Sequence, residues 1–71
     1  MNRERMVSYG VSKFSCLIRG RRMSGKEFVE EIRKHHDTEA PHMKAVMTVL
    51  ENNLGSIMVR PDGLAAYTTN V

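Results

Sequence analysis

The sequence predicts an α+β fold, in which two or three helices are followed by a C-terminal β-hairpin. Three observations predict it. Ser24 to Glu27 form a capping box ahead of an amphipathic segment. An apolar stripe at helical spacing runs from Met43 to Leu50. Pro61-Asp62-Gly63 separates two alternating segments, as a hairpin turn does.

The length of the chain sets its domain organisation. Its 71 residues suit one domain, so residues 1–71 are assigned to a single domain with fraying ends. A chain this short buries only about 60% of the surface that it exposes when unfolded. Because dimerisation would enlarge a thin core, a homodimer is among the assemblies that we expect.

The first segment, residues 6–18, fits two structures. Four apolar residues recur at the spacing of one helical stripe: Val7, Val11, Phe14 and Ile18. Val7, Tyr9 and Val11 also alternate, as in a strand, and Gly10 weakens the preference for a helix. We favour the helix. The alternative, a strand, would give a sheet of three or more strands packed on two helices.

The second segment is a short helix over Lys26 to His35. A basic connector, Gly20 to Met23, leads into it. The Ser24 side chain can accept from the backbone N–H of Glu27, whose own side chain can reach back to Ser24. Three apolar residues then follow at helical spacing: Phe28, Val29 and Ile32.

The third segment is a helix over Glu39 to Asn52. Asp37 or Thr38 is expected to cap it, and Pro41 is tolerated in its first turn. Four apolar residues form its core stripe: Met43, Val46, Met47 and Leu50. Asn53-Leu54-Gly55 is expected to end the helix.

The fourth segment, Ser56 to Thr69, is expected to be the hairpin. Ile57 and Val59 alternate with Met58 and Arg60 before the turn, and Leu64, Ala66 and Thr68 alternate after it. Pro61 presets the backbone of the turn, and Gly63 tolerates a positive φ. Asn70 and Val71 are expected to fray.

Charge is distributed unevenly along the chain. The formal charge is +3. Residues 1–26, the basic N-terminal third, hold seven basic residues against Glu4 alone, a net charge of +6. Residues 27–71 hold four basic and seven acidic residues, a net charge of −3. This asymmetry suits contact with a polyanion, and a solvated surface is the alternative interpretation.

The motif content argues against catalysis. The single cysteine, Cys16, excludes an internal disulfide and has no local base. No nucleotide-binding loop, serine triad or zinc motif is present. The cluster of His35, His36 and His42 is more typical of a polar turn than of a metal site. We therefore expect a protein that is not an enzyme, with no catalytic residues, no cofactor and no metal.

The chain also lacks the marks of a membrane or exported protein. No apolar run approaches the roughly 18 residues that cross a bilayer. Ser8, Gly10, Ser12 and Lys13 interrupt the segment in which a signal peptide would have its apolar core. We expect a cytoplasmic protein without a membrane partner.

The order of these segments resembles a winged helix-turn-helix domain. Ser24 to Ile32 match the supporting helix, Glu39 to Asn52 the recognition helix, and Ile57 to Thr68 the wing. The resemblance covers about two-thirds of the chain and rests on element order and spacing. It implies that the second helix of the pair enters the major groove of duplex DNA.

The resemblance also implies nucleic-acid-binding residues. On the recognition helix, His42, Lys44 and Thr48, with Ala45, would point outward. Arg60 near the wing tip would lie beside a phosphate. Further phosphate contacts would come from the connector and the start of the supporting helix: Arg19, Arg21, Arg22 and Lys26.

Two functions from different classes follow. The first is a small regulatory protein, acting in transcription, that binds duplex DNA and forms a dimer. The alternative is an adaptor or inhibitor of the phage or mobile-element type, which works by protein–protein interaction without binding DNA. It is favoured by the acidic, arginine-poor helix over Glu39 to Asn52 and by six methionines.

Overall fold

A computed structural model describes residues 2–70. Over this range, three α-helices accompany a three-stranded antiparallel sheet: α1 Arg3–Phe14, α2 Gly25–His35, α3 Pro41–Asn53, β1 Arg22–Ser24, β2 Leu54–Val59 and β3 Ala65–Thr69. A short 3₁₀ helix, Ser15–Ile18, follows α1. The predicted α+β class is confirmed. Helices followed by a small antiparallel sheet are an arrangement compatible with a winged helix.

The first segment is a helix, as favoured, and the strand alternative is wrong. Asn2 caps α1, since its Oδ1 accepts a hydrogen bond from the backbone N–H of Glu4 at 2.7 Å. Gly10 lies against α3, where an added Cβ would come within 2.8 Å of the Leu50 side chain. The helical stripe prevails because it gives α1 a face that packs against α3: Met6, Val7, Val11 and Phe14 are buried.

The basic connector contains a strand that the sequence did not predict. Arg22, Met23 and Ser24 form β1 and pair with Met58, Ile57 and Ser56 of β2. Three residues carry too short a pattern to predict a strand. β1 exists because β2 offers a free edge, and the burial of Met23 anchors it.

α2 is the predicted helix and begins one residue earlier than expected. The Ser24 Oγ accepts from the Glu27 backbone N–H at 3.2 Å, and its hydroxyl donates to the Glu27 Oε1 at 3.2 Å. Gly25 is needed at the first helical position, because a Cβ there would overlap the backbone carbonyl of Leu54. The capping box thus starts the helix where the chain passes closest to β2.

α3 begins at Pro41 rather than at Glu39, and neither Asp37 nor Thr38 caps it. Ala40 is its N-cap residue, in an extended conformation, and makes no side-chain cap. A residue before proline is forced out of the helical region, so the helix cannot start earlier. The Asp37 Oδ1 instead accepts from the Glu39 N–H at 3.0 Å, within the connector.

The predicted hairpin is confirmed, but the predicted helix stop is wrong: α3 runs one residue beyond Asn52, and Leu54 and Gly55 belong to β2. α3 ends at Asn53, and β2 starts directly at Leu54. The turn is closed by the Arg60 N–H donating to the Leu64 carbonyl at 2.9 Å, with Gly63 at a φ of 92°. Fraying was predicted for Asn70 and Val71. Asn70 donates its N–H to the Asn53 carbonyl at 2.6 Å, and Val71, like Met1, lies outside the described residues.

β2 is the middle strand, and the core lies between the sheet and the helices. α2 contacts β1 and β2, and α3 contacts β2. The predicted core residues Val46, Met47 and Leu50 are buried, and Met43 packs partly buried against them. β3 lies at the edge, with all five of its residues exposed. No helix within residues 2–70 is long and apolar enough to cross a membrane.

Candidate nucleic-acid interface

The chain entering β1 lies beside the β2–β3 turn. The Gly20 N–H donates to the Val59 carbonyl at 2.6 Å, and the Val59 N–H donates to the Arg21 carbonyl at 2.9 Å. The guanidinium of Arg19 lies over Gly63, where an added Cβ would be 3.4 Å from its Nη2. The fold therefore brings the connector arginines to the turn that holds Arg60.

Four arginines lie on the chain segments at this end of the sheet and are here called the arginine cluster: Arg19, Arg21, Arg22 and Arg60. All four are exposed. Arg22 pairs in register with Met58, so its side chain lies on the sheet face away from the core, whereas its neighbour Met23 is buried. The charged groups of these arginines thus remain solvated in the folded protein. Folding therefore has no cost from burying them, and they are accessible to an anion.

Ion pairing divides the basic residues into two groups. Each basic residue after position 26 lies within 4 Å of a carboxylate: Arg33–Glu51 at 3.5 Å, Lys34–Glu31 at 3.7 Å, Lys44–Glu39 at 3.4 Å and Arg60–Asp62 at 2.9 Å. Those of the N-terminal third make no ion pair within residues 2–70: Arg3, Arg5, Lys13, Arg19, Arg21, Arg22 and Lys26. Ion pairs therefore neutralise the basic residues after position 26, whereas the excess positive charge of residues 1–26 is not neutralised in this way by the described residues.

Lys26 stands apart from the arginine cluster. It lies in the first turn of α2 and is exposed. The N-terminus of a helix favours negative charge, so a lysine here gains nothing from the helix dipole. An anion bound at this end would be favoured by both the lysine and the dipole.

The outward residues of α3 occupy a different surface. His42, Lys44 and Thr48 are exposed, as predicted. The His42 ring makes an edge contact with the Tyr9 ring of α1, with centroids 5.6 Å apart. Lys44 lies 3.4 Å from Glu39, so its charge is partly neutralised before any ligand arrives.

A groove of about 600 Å³ lies at the elbow between α2 and α3. Its lining mixes both signs of charge: Arg33, His36, Asp37, Thr38, Glu39, Lys44, Met47 and Thr48. Lys44 and Thr48 open onto this groove, and no member of the arginine cluster lines it. The predicted site residues therefore divide into the arginine cluster, Lys26, and the α3 surface.

α1 adds basic residues that the predicted site omitted. Arg3, Arg5 and Lys13 are exposed on it, and the Lys13 Nζ lies 5.7 Å from the centre of the Tyr9 ring. The net charge of residues 1–26 already signalled them. The face on which Lys13 lies could not be assigned from the sequence, because residues 6–18 fitted both a helix and a strand.

No group of three or more His, Cys, Asp or Glu side chains within residues 2–70 could hold a metal ion. No protein family, curated protein or solved structure matches this chain. Charge distribution and surface geometry are therefore the observations from which a function can be inferred.

Proposed function

We propose that this protein is a small, non-enzymatic regulatory protein that binds duplex DNA through a winged-helix-like domain. One observation carries the proposal: the basic residues of the N-terminal third make no ion pair within residues 2–70, and three of them join Arg60 beside the β2–β3 turn. Arginines exposed together at one edge suit the phosphates of a duplex, which supply most of the affinity of DNA-binding proteins.

The proposed roles follow from where the residues lie. The arginine cluster and Lys26 contact phosphates, which position the protein and carry no sequence information. His42, Lys44 and Thr48 on α3 approach base edges in the major groove. Lys44 must leave Glu39 to do so, and the exposed pair costs little to break, about 1 kcal/mol or less.

Salt dependence gives a quantitative test of this assignment. Five phosphate contacts, from the arginine cluster and Lys26, correspond to a slope of about −4.5 in log affinity against log salt concentration. Affinity would then fall roughly 500-fold between about 50 mM and about 200 mM salt. Fluorescence anisotropy with random-sequence duplex DNA measures both quantities.

A pair of double variants locates the contact. Arg21→Glu with Arg22→Glu reverses two charges in the arginine cluster, and we expect it to abolish binding at the lower salt concentration. Arg33→Glu with Lys34→Glu makes the same change in net charge at the far end of α2, where both residues are already paired. It should retain most of the affinity, and circular dichroism checks that both variants fold.

The second candidate function, a protein-binding adaptor or inhibitor, is favoured by α3 itself. The one lysine of this helix is paired with Glu39, and its elbow groove has mixed charge. Such a surface suits a protein partner better than a phosphate backbone. Wild-type protein that fails to bind DNA at about 50 mM salt contradicts the DNA proposal, and a pull-down of one stable protein partner would then support the adaptor.

A further inference from the structure

The two edges of the sheet differ in how well they are protected. β1 has three residues, is preceded by Arg19 and Arg21, and carries Arg22. β3 has five residues, and no charged residue or proline occurs from Leu64 to Asn70. Proteins ordinarily blunt an exposed edge with charges, prolines or very short strands, because an open edge pairs with other strands. β3 has none of these devices.

The contacts at the two ends of β3 show which of its residues direct their backbone N–H and C=O groups toward β2. The Leu64 carbonyl accepts from Arg60, and the Asn70 N–H donates to Asn53. Backbone groups alternate in direction along an antiparallel strand, so those of the even-numbered residues face β2. The N–H and C=O groups of Ala65, Tyr67 and Thr69 therefore point away from the sheet, with Tyr67 in the middle.

The side chains of those same residues lie on the apolar face of the sheet. Tyr67 stands opposite Ile57 and Ala65 opposite Val59, and both β2 residues are about 1% exposed. Tyr67 itself is 40% exposed, because α2 and α3 pack mainly against β1 and β2. α1 approaches the other end of β3, where Arg3 and Thr69 border the same pocket. The apolar face of the sheet therefore continues onto β3, where the side chains of Ala65 and Tyr67 are exposed.

We propose that β3 binds β3 of a second copy of this chain, antiparallel about a two-fold axis at Tyr67, to form one six-stranded sheet. The Tyr67 N–H would donate to the carbonyl of the partner's Tyr67, and the reverse bond would complete the pair. Ala65 would pair with the partner's Thr69 in the same way. The two tyrosine rings would lie side by side on the core face, each covering the other.

A second copy of the chain is the partner that fits both the hydrogen-bonding pattern and the lack of charge along this edge. The outward groups are centred on one residue, so the edge is complementary to itself under a two-fold rotation, as an isologous interface requires. The chain has a net charge of +3, and like-charged copies repel each other over most of their surface. Along β3 no charges oppose each other, so repulsion is least there. The interface does not depend on DNA binding.

Oligomeric state tests the proposal in the absence of DNA. Light scattering and sedimentation of the wild-type chain should give a concentration-dependent mass that rises to twice 8.1 kDa. Tyr67→Lys places two like charges directly opposite each other, so the dimer dissociation constant should rise by at least about tenfold. Ser8→Lys adds the same charge on an exposed position of α1 and should leave the dimer unchanged. A monomeric wild-type chain, or an equal effect of the two variants, would overturn the proposal.

Disulfide crosslinking tests the register of the proposed pairing between the two β3 strands. Unlike Tyr67→Lys, it does not require a variant that weakens the dimer. Directly opposite hydrogen-bonded residues have Cα atoms about 5.5 Å apart, which suits a disulfide. In a Cys16→Ser background, Tyr67→Cys should give a covalent dimer on oxidation. Ala66→Cys is the control, because its sulfur would be offset from its counterpart by about two residues and point to the other face. Crosslinking as efficient through A66C as through Y67C would contradict the proposed two-fold axis.

Discussion

At the scale of single residues, Asp62 has two roles in the β2–β3 turn. Its Oδ1 accepts from the Leu64 backbone N–H at 3.1 Å, which supports the turn. Its Oδ2 lies 2.9 Å from the Arg60 guanidinium, which lowers the positive potential of the arginine cluster. One side chain thus stabilises the turn and competes with any anion that Arg60 would bind.

Separating these roles gives a prediction about DNA affinity. Asp62→Asn keeps an oxygen for the Leu64 N–H and removes the negative charge beside Arg60. If Arg60 contacts a phosphate, affinity for duplex DNA should rise, because Arg60 no longer has to leave a carboxylate to reach it. The salt slope should stay near that of the wild type, because the number of phosphate contacts is the same. The measurement is the same anisotropy titration at several salt concentrations.

Glu30→Gln is the matched control for that change. Glu30 is exposed on α2 and makes no ion pair within residues 2–70, and its substitution alters the net charge equally. An equal gain in affinity for both variants would show that total charge, rather than the local release of Arg60, is responsible.

At the scale of elements, local signals decide where α2 and the hairpin form. The capping box acts between residues three positions apart, and the turn depends on a φ of 92° at Gly63, so both work within a few residues. α3 shows how neighbouring signals compete: the extended conformation imposed before Pro41 overrides the capping side chains of Asp37 and Thr38. The first residue of α3 is therefore set by the steric constraint of the proline rather than by the capping side chains.

The capping box predicts a measurable contribution to stability. Ser24→Ala removes the acceptor for the Glu27 N–H and should lower the free energy of unfolding by about 1 kcal/mol. Urea denaturation followed by circular dichroism measures the change.

Ser12→Ala serves as its control. Ser12 is exposed within α1 and caps no helix, so the same substitution there should be neutral or slightly stabilising, because alanine has the higher helix propensity. Equal losses at the two positions would contradict the importance of the cap.

At the scale of the whole molecule, Leu50 joins the helices into one core. It is fully buried, and the missing side chain of Gly10 lets α1 approach it closely. Leu50→Ala should lower the free energy of unfolding by about 2–5 kcal/mol, through lost burial and a residual cavity. A domain of this size has about 5–15 kcal/mol in all, so the midpoint of urea unfolding should fall steeply.

A control for that substitution comes from the hairpin. Leu64 is 60% exposed, and Leu64→Ala should change the free energy of unfolding by about 0.5 kcal/mol or less. Similar losses for the two leucine variants would mean that α1 and α3 do not form the shared core described above.

The sequence by itself determined the elements whose signals are local: α2 from its cap, α3 from its four-residue stripe, and the hairpin from its turn. It also determined that residues 1–26 carry the excess positive charge. Tertiary structure decided the rest. Residues 6–18 carried two periodicities, and the packing of the helical stripe against α3, where Gly10 lies close to Leu50, selected the helix. β1 forms only against β2, and Arg19 meets the turn only because Gly20 and Arg21 bond to Val59. These outcomes depend on residues distant in sequence, whose contacts no local pattern contains.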